Sequence, residues 1–384
     1  MAPEAVKLML QNMVNAFISL FEPLRDTWVW PGLAEAGKFL GTHLISGMVP
    51  AFFIAGAIAI FLDKQRITKL MGTNASPLIA YPVAAFSGGV LTVCSCGVIP
   101  IFSGILQQGA GIGPAFTFLM ASPAVNLIAL SYTYTLLGTK FLIGRAVLVM
   151  LSAIGIGLGM RLIFGETPKA ETASDIIIVE EDSDRSDLQL LTFFAILVLI
   201  MVTATGVTDP LILKIGAMAN YDGILLPRVL TMLLQVVLLA VICTRWFYRS
   251  EIVLWLKKSY SLFILIFPKV LGGIILAGVL TALFPLTDYM KFFDDNGIEG
   301  NVLASILGSL MYFGTIVGVT IVSTLKDFGM HPGPALTLLL SGPAVSLPSV
   351  LALAPIVGAK KAAGFLGLVI LFSALSGFIF GATF

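Results

Sequence analysis

A fifteen-residue apolar segment occurs twice. Residues 113–127 read GPAFTFLMASPAVNL and residues 333–347 read GPALTLLLSGPAVSL, with nine identities at a constant offset of 220 and no gap. Upstream, at an offset of 218, Pro50 in GMVPAFFIAGAI meets Pro268 in LIFPKVLGGII. Two copies of one four-segment unit must pack the same elements twice, and duplication around a central site is a common plan of secondary transporters.

The solvent for this duplication is set by composition. Of 384 residues, 58% are hydrophobic and 11% charged, about half the usual charged fraction, which excludes a soluble domain. A net charge of +1 leaves no basic surface for nucleic acid, and two His and three Cys are too few for a disulfide scaffold or a multi-metal site. The apolar runs are continuous rather than alternating, so helices and not barrel strands are expected.

Long apolar stretches lie at about 40–62, 78–106, 115–137, 141–163, 189–207, 224–243, 260–284, 303–326, 335–353 and 361–381. The expected fold is therefore an all-α integral membrane protein of about ten segments in two repeated halves. Ahead of them, Leu10, Val14, Phe17, Ile18 and Phe21 recur at helical spacing among Gln11, Asn12 and Asn15, which predicts an interfacial amphipathic helix within residues 1–32 and not a signal peptide. The first repeat spans 33–165. An acidic linker, 166–188, carries eight acids and two bases between Glu166 and Asp187. Two connecting helices fill 189–245, and the second repeat fills 246–384.

One of the stretches is too long for one span. Helix over 78–106 would measure about 43 Å against a hydrocarbon core of about 30 Å. If 78–106 and 303–326 instead enter and leave on one side, Lys64, Arg66, Lys69, Arg245, Arg249, Lys257, Lys258, Lys360 and Lys361 all become cytoplasmic, and the halves acquire opposite topology. If every segment spans, the basic loops divide evenly. Inverted halves, each with a re-entrant or broken-helix segment, are thus expected in a multi-pass protein of a prokaryotic inner membrane.

The first hairpin tip is expected at Cys94-Ser95-Cys96-Gly97, with Gly97 and Pro100 supplying the break. Two sulfurs on a non-helical turn at mid-membrane form a soft pair suited to thiophilic species; as plain packing residues they would do nothing. At the second tip Gly314-Thr315-Ile316 aligns with the thiol segment, so Thr315 is the polar counterpart and the site is asymmetric. Ser122-Pro123-Ala124-Val125-Asn126 and Gly342-Pro343-Ala344-Val345-Ser346 each put a proline inside an apolar run. Each proline frees a carbonyl, and Asn126 and Ser346 either re-satisfy backbone or contact cargo. Lys269, mid-span beside Pro268 and without an acid within a turn, either snorkels or lines the path. Arg145, Arg161 and Arg228 are expected as interfacial anchors, and Cys243 as packing. No Walker A, HExxH or GxSxG sequence is present, so neither ATP-driven transport nor those enzyme classes are expected.

At CSCGVIP, GIGPAFTFLMASPAVN and GPALTLLLSGPAV the chain resembles the predicted permease family that contains the bacterial organoarsenical efflux permeases, from about Leu40 to the C-terminus. The resemblance implies export of trivalent organoarsenicals, or of arsenite in some members, with Cys94 and Cys96 as metalloid ligands. Family members often carry a further Cys near Gly314 or Thr315. Its absence here weighs against three-thiolate arsenite coordination, and a two-thiol site matches the two exchangeable hydroxyls of a monomethyl trivalent arsenical. Two other readings stand beside this one: a permease for a sulfur-containing anion such as thiosulfate, with Lys269 in the anion site, and a membrane thiol oxidoreductase using the CSC pair. The expected partners are the bilayer and a small-molecule or metalloid substrate, with no cofactor and no nucleic acid; a homodimer is the assembly left open.

Overall fold

A computed structural model describes residues 27, 29–42, 48–61, 64–72, 75–90, 95–125, 127–165, 186–205, 225–283, 290–311 and 315–383. The amphipathic segment around Leu10 to Phe21 and nearly all of the acidic linker lie outside them. Among the described residues there are sixteen α-helices and no strand. The first half contains α1 (Trp30–Thr42), α2 (Val49–Phe61), α3 (Lys64–Met71), α4 (Pro77–Val90), α5 (Ser95–Gln107), α6 (Ile112–Ala124), α7 (Leu127–Leu137) and α8 (Thr139–Phe164). Two connecting helices, α9 (Asp187–Thr205) and α10 (Leu225–Trp246), lead to α11 (Arg249–Leu283), α12 (Ile298–Leu310), α13 (Thr315–Asp327), α14 (Pro332–Ala344), α15 (Leu347–Val357) and α16 (Ala359–Ala382).

Three helices, α8, α11 and α16, are by themselves long and apolar enough to cross a bilayer, and five spans result if two bent pairs are each taken as one. Those pairs are α6 with α7, bent by 49°, and α14 with α15, bent by 46°. The runs 115–137 and 335–353, continuous in hydropathy, are thus each two helices. The cause is local: Pro123 and Pro343 sit next to last in α6 and α14, where a missing N–H and a crowded ring favour termination.

The stretches 78–106 and 303–326 are also interrupted. The first is α4 and α5, separated at 91–94, and the second is α12 and α13, separated at 311–314. Both ends of each interrupted stretch meet. The Gly111 N–H donates to the Met71 carbonyl at 2.7 Å, and the His331 N–H donates to the Phe293 carbonyl at 2.7 Å. The turns that lead from the returning arms use Gly109 (φ 92°) and Gly329 (φ 104°), 220 residues apart, in the left-handed region that a Cβ disfavours.

Helix α4 then runs alongside α6 in the same direction, Tyr81 meeting Gly113 and Gly88 meeting Ser122. Helix α12 runs likewise beside α14, with Gly300 near Pro334 and Gly308 near Ser341. Small residues allow this approach, which matters in lipid because no hydrophobic drive brings helices together there. Helices α8 and α16 are antiparallel: Gly144 faces Phe380, Gly155 faces Phe372, Gly159 faces Leu368, and Phe164 faces Gly364. Midway along, the hydroxyls of Ser152 and Ser376 share a hydrogen bond of 2.8 Å.

Because α6 begins beside the C-terminal half of α8 (Gly113 against Gly157) and α14 begins beside the C-terminal part of α16 (Gly333 against Gly377), the two hairpin mouths lie at opposite ends of this antiparallel pair. Beyond the first mouth's end, Phe61, Phe193, Phe247 and Trp255 form one aromatic cluster, with centroids 4.7–6.2 Å apart.

Candidate functional site

Four chain breaks converge at mid-depth. From the start of α6 to its end at Ala124 is about 18 Å, a little over half of a hydrocarbon core. The end of α4 reaches the same level, since a Cβ on Gly89 would lie 3.5 Å from the Val125 carbonyl. Each returning arm then crosses to the other half: α5 packs against α15, and α13 packs against α7. Where α5 meets α15 lies a cavity of about 10 Å³, room for about one water, walled by Ile99, Leu119, Val345, Ser349 and Phe365.

The thiol segment straddles the start of α5. Ser95, Cys96 and Gly97 form its first turn, while Cys94 lies outside the described residues. The break therefore falls upstream of where Gly97 and Pro100 were expected to place it, and both belong to the helix. The N–H groups of a helix's first turn have no intrahelical acceptors, so Gly97 is cheap there, and Pro100, the sixth residue, deprives only the Cys96 carbonyl of its usual donor. Thr315 occupies the equivalent position, first in α13.

Ser122 and Pro123 are buried at the end of α6, and the Ser122 hydroxyl donates to the Gly88 carbonyl at 2.9 Å, tying α6 to α4. Asn126 lies outside the described residues. In the second half Pro343 is buried, and the Ser346 and Ser349 hydroxyls are 3.0 Å apart at the start of α15. These residues sit at the breaks. Lys269 does not: it is exposed on α11, and its Nζ donates to the Leu265 carbonyl of its own helix at 2.8 Å. Cys243 is buried near the end of α10, towards the aromatic cluster.

Arg145 corrects a sequence expectation. It is no interfacial anchor but has 0% exposure inside α8. Its Nε donates to the Ala124 carbonyl at 3.1 Å, and its Nη1 donates to the Thr133 hydroxyl at 2.8 Å. The guanidinium thus clasps both sides of the α6–α7 bend. Its Nη2 is buried without a partner among the described residues, and none of their Asp or Glu side chains is buried to balance it. A fixed positive charge therefore stands at one break, whereas the position 220 residues on is Phe365. The signal in sequence was an Arg two turns past Gly138 in an apolar run; the bend that hides it was not visible there.

Broken helices that meet within the bundle, with a buried guanidinium unbalanced among the described residues and small polar groups at the breaks, fit the architecture of a membrane permease. The chain matches the family described as "Predicted permease" over residues 39–382 and belongs to it. It is 39% identical over 343 residues to UPF0718 protein MJ0584 of Methanocaldococcus jannaschii, covering 89% of this chain and 93% of that one. UPF0718 protein YraQ of Escherichia coli is 24% identical over 330 residues, 85% of this chain and 69% of that protein. UPF0718 protein YcgR of Bacillus subtilis is 28% identical over 112 residues, 29% and 35% of the respective chains. No solved structure matches the chain.

Proposed function

We propose that this permease is a secondary exporter of a small thiophilic solute, most simply a trivalent organoarsenical or arsenite, held at mid-membrane between the two hairpin tips. The observation that carries the reading is the convergence of the four breaks with Cys96 in the first turn of α5 and Cys94 just before it. Thiolates there would bind a soft metalloid, while Ser346 and Thr315 from the other half offer only hydroxyls.

On this reading the chain has ten membrane segments in two inverted repeats, supported by mouths at opposite ends of the α8–α16 pair and by positive-φ glycines at 109 and 329 and at 138 and 358. The end bearing the first mouth faces the cytoplasm of a prokaryotic cell. Lys69, Arg161, Arg245, Lys360 and Lys361 gather there, against Lys140, Lys291 and Lys326 at the other end, which also carries Asp294, Asp295, Glu299 and Asp327.

Arg145 favours a second reading, a permease for a sulfur-containing anion such as thiosulfate. A buried guanidinium with a free N–H attracts an anion, and Lys269, exposed on α11, is the poorer candidate for that role. Uptake of methylarsenite, arsenite and thiosulfate into everted vesicles, with and without a proton gradient, separates the two. Accumulation of methylarsenite alone supports the first reading, and of thiosulfate alone the second. Accumulation of none overturns both.

A further inference from the structure

The two halves differ most sharply in one buried layer. Residues Ala85 on α4, Ala121 on α6 and Ala153 on α8 are all at 0% exposure, and 220 residues on stand Ser305 on α12, Ser341 on α14 and Ser373 on α16, also at 0%. The scaffolds around the two triads are alike. A Cβ on Gly157 would press on Thr117, Gly113 and Tyr81, and one on Gly377 would press on Thr337, Gly333 and Asn301. Three helices have therefore exchanged alanine for serine at one level of one half only. Each buried hydroxyl is costly unless it is bonded.

Most of the bonding is visible, and it is incomplete. The Thr337 hydroxyl has one hydrogen, and Asn301 Oδ1 (2.8 Å), the Gly333 carbonyl (3.2 Å) and the Ser373 carbonyl (3.3 Å) all lie within its reach. Ser341 donates to the Thr337 carbonyl at 3.0 Å. The Oγ atoms of Ser305 and Ser373 are buried with no partner among the described residues, and so is that of Ser309, one turn nearer the hairpin tip. Asn296 bonds the Phe378 carbonyl, and Asn301 lies against Gly377, so α12 and α16 run antiparallel. One turn further along that register, Ser305 comes level with Ser373, with Thr337 and Ser341 of α14 alongside.

We propose that this layer of neutral oxygens, Ser305, Thr337, Ser341 and Ser373, binds a sodium ion in the second half of the permease. Hydroxyl and carbonyl oxygens are hard ligands suited to an alkali cation. The lone pairs around Thr337 outnumber its single hydrogen, and the unpartnered hydroxyls can turn their oxygens inward without breaking any bond. No carboxylate takes part, and among the described residues none is buried anywhere. A neutral-oxygen Na+ site would let an ion gradient act on the second hairpin where, among the described residues, a proton would find no buried acid to carry it. The first half, with its three alanines, has no such site.

This inference goes beyond the transport reading and is tested without cargo. Thermal unfolding of the purified full-length protein in detergent is followed as NaCl replaces choline chloride at constant ionic strength, with KCl in parallel, and binding of radioactive sodium is measured by scintillation proximity. Na+ should raise the midpoint saturably by several degrees, as expected for a ligand that binds only the folded state. The Ser305→Ala/Ser373→Ala protein, which carries the residues that already pack in the first half, should lose that rise while keeping the wild-type midpoint in choline. Equal midpoints in all three salts, an equal rise in KCl, or a rise that survives the double substitution each overturn the proposal. A variant destabilised equally in every salt shows a bound water instead, and overturns it too. If the double variant does not fold, saturable sodium binding by the wild-type protein decides, and its absence refutes the site.

Discussion

Arg145 donates through Nε to the Ala124 carbonyl at 3.1 Å, so the end of the proline-interrupted helix α6 is held by a charged side chain from α8. The bond occupies one of the carbonyls that a broken helix leaves bare in a region without water. Replacing Arg145 by Met would leave the Ala124 carbonyl without its side-chain donor, at about 1–3 kcal/mol, while the Thr133 hydroxyl would keep its bond to the Ala129 carbonyl at 2.6 Å. A fall in unfolding temperature and at least a tenfold loss of transport are expected, with Arg145→Lys between Met and wild type. Unchanged transport by Arg145→Met at equal expression would remove the residue from the site.

Lys269 supplies the comparison. Its ammonium is exposed and bonded within its own helix, so Lys269→Met should transport at close to the wild-type rate in the same vesicles. A large loss would return it to the path.

The thiols separate the functional readings. Cys94→Ser and Cys96→Ser should each abolish protection against methylarsenite, because a hydroxyl is a poor soft ligand, and Cys243→Ser should be nearly silent. In a Cys243→Ser background, methylarsenite should slow alkylation of the remaining pair. A thiosulfate permease would tolerate one Ser, since a hydroxyl donates as a thiol does. A thiol oxidoreductase would show disulfide cycling without protection by cargo.

Close helix packing gives a stability test. Alanine at Gly157 would meet the Gly113 carbonyl at 2.6 Å, and alanine at Gly377 would meet the Gly333 carbonyl at 2.6 Å. Each should cost about 1–3 kcal/mol in thermal or denaturant unfolding. Gly272→Ala and Gly367→Ala, with nothing within 4 Å, should not.

The opposed mouths can be read by labelling. Single cysteines replacing Gln107 and Asp327 in a protein lacking the native three should react with an impermeant maleimide from opposite sides of the membrane. Reaction of both from the same side would mean that the halves are parallel.

Much of this was legible in sequence because it rests on length, periodicity and proline. The interruption of 78–106 follows from a stretch too long for one span and that of 303–326 from its place in the repeat, and both lie within a few residues of the expected places. The location of the first break was less legible, since Gly97 and Pro100 signal weak helix, but Gly97 falls in the first turn of α5 and Pro100, in its second turn, costs the helix one bond. Pro123 and Pro343 announced a kink without its size. The environment of Arg145 could not be read, because hydropathy counts residues from a segment's end and cannot tell that a 49° bend folds α7 over α8. Lys269 shows the converse, since a mid-span cation looks the same in sequence whichever way its helix is turned.

The seam between α8 and α16 is joined by a hydroxyl pair, Ser152 to Ser376, near the middle, with phenyl rings seated on glycines towards either end. A joint fastened at its centre and cushioned at its extremities behaves as a seesaw. Tilting one half against the other about that bond would widen the gap at one face of the membrane by the motion that narrows it at the other.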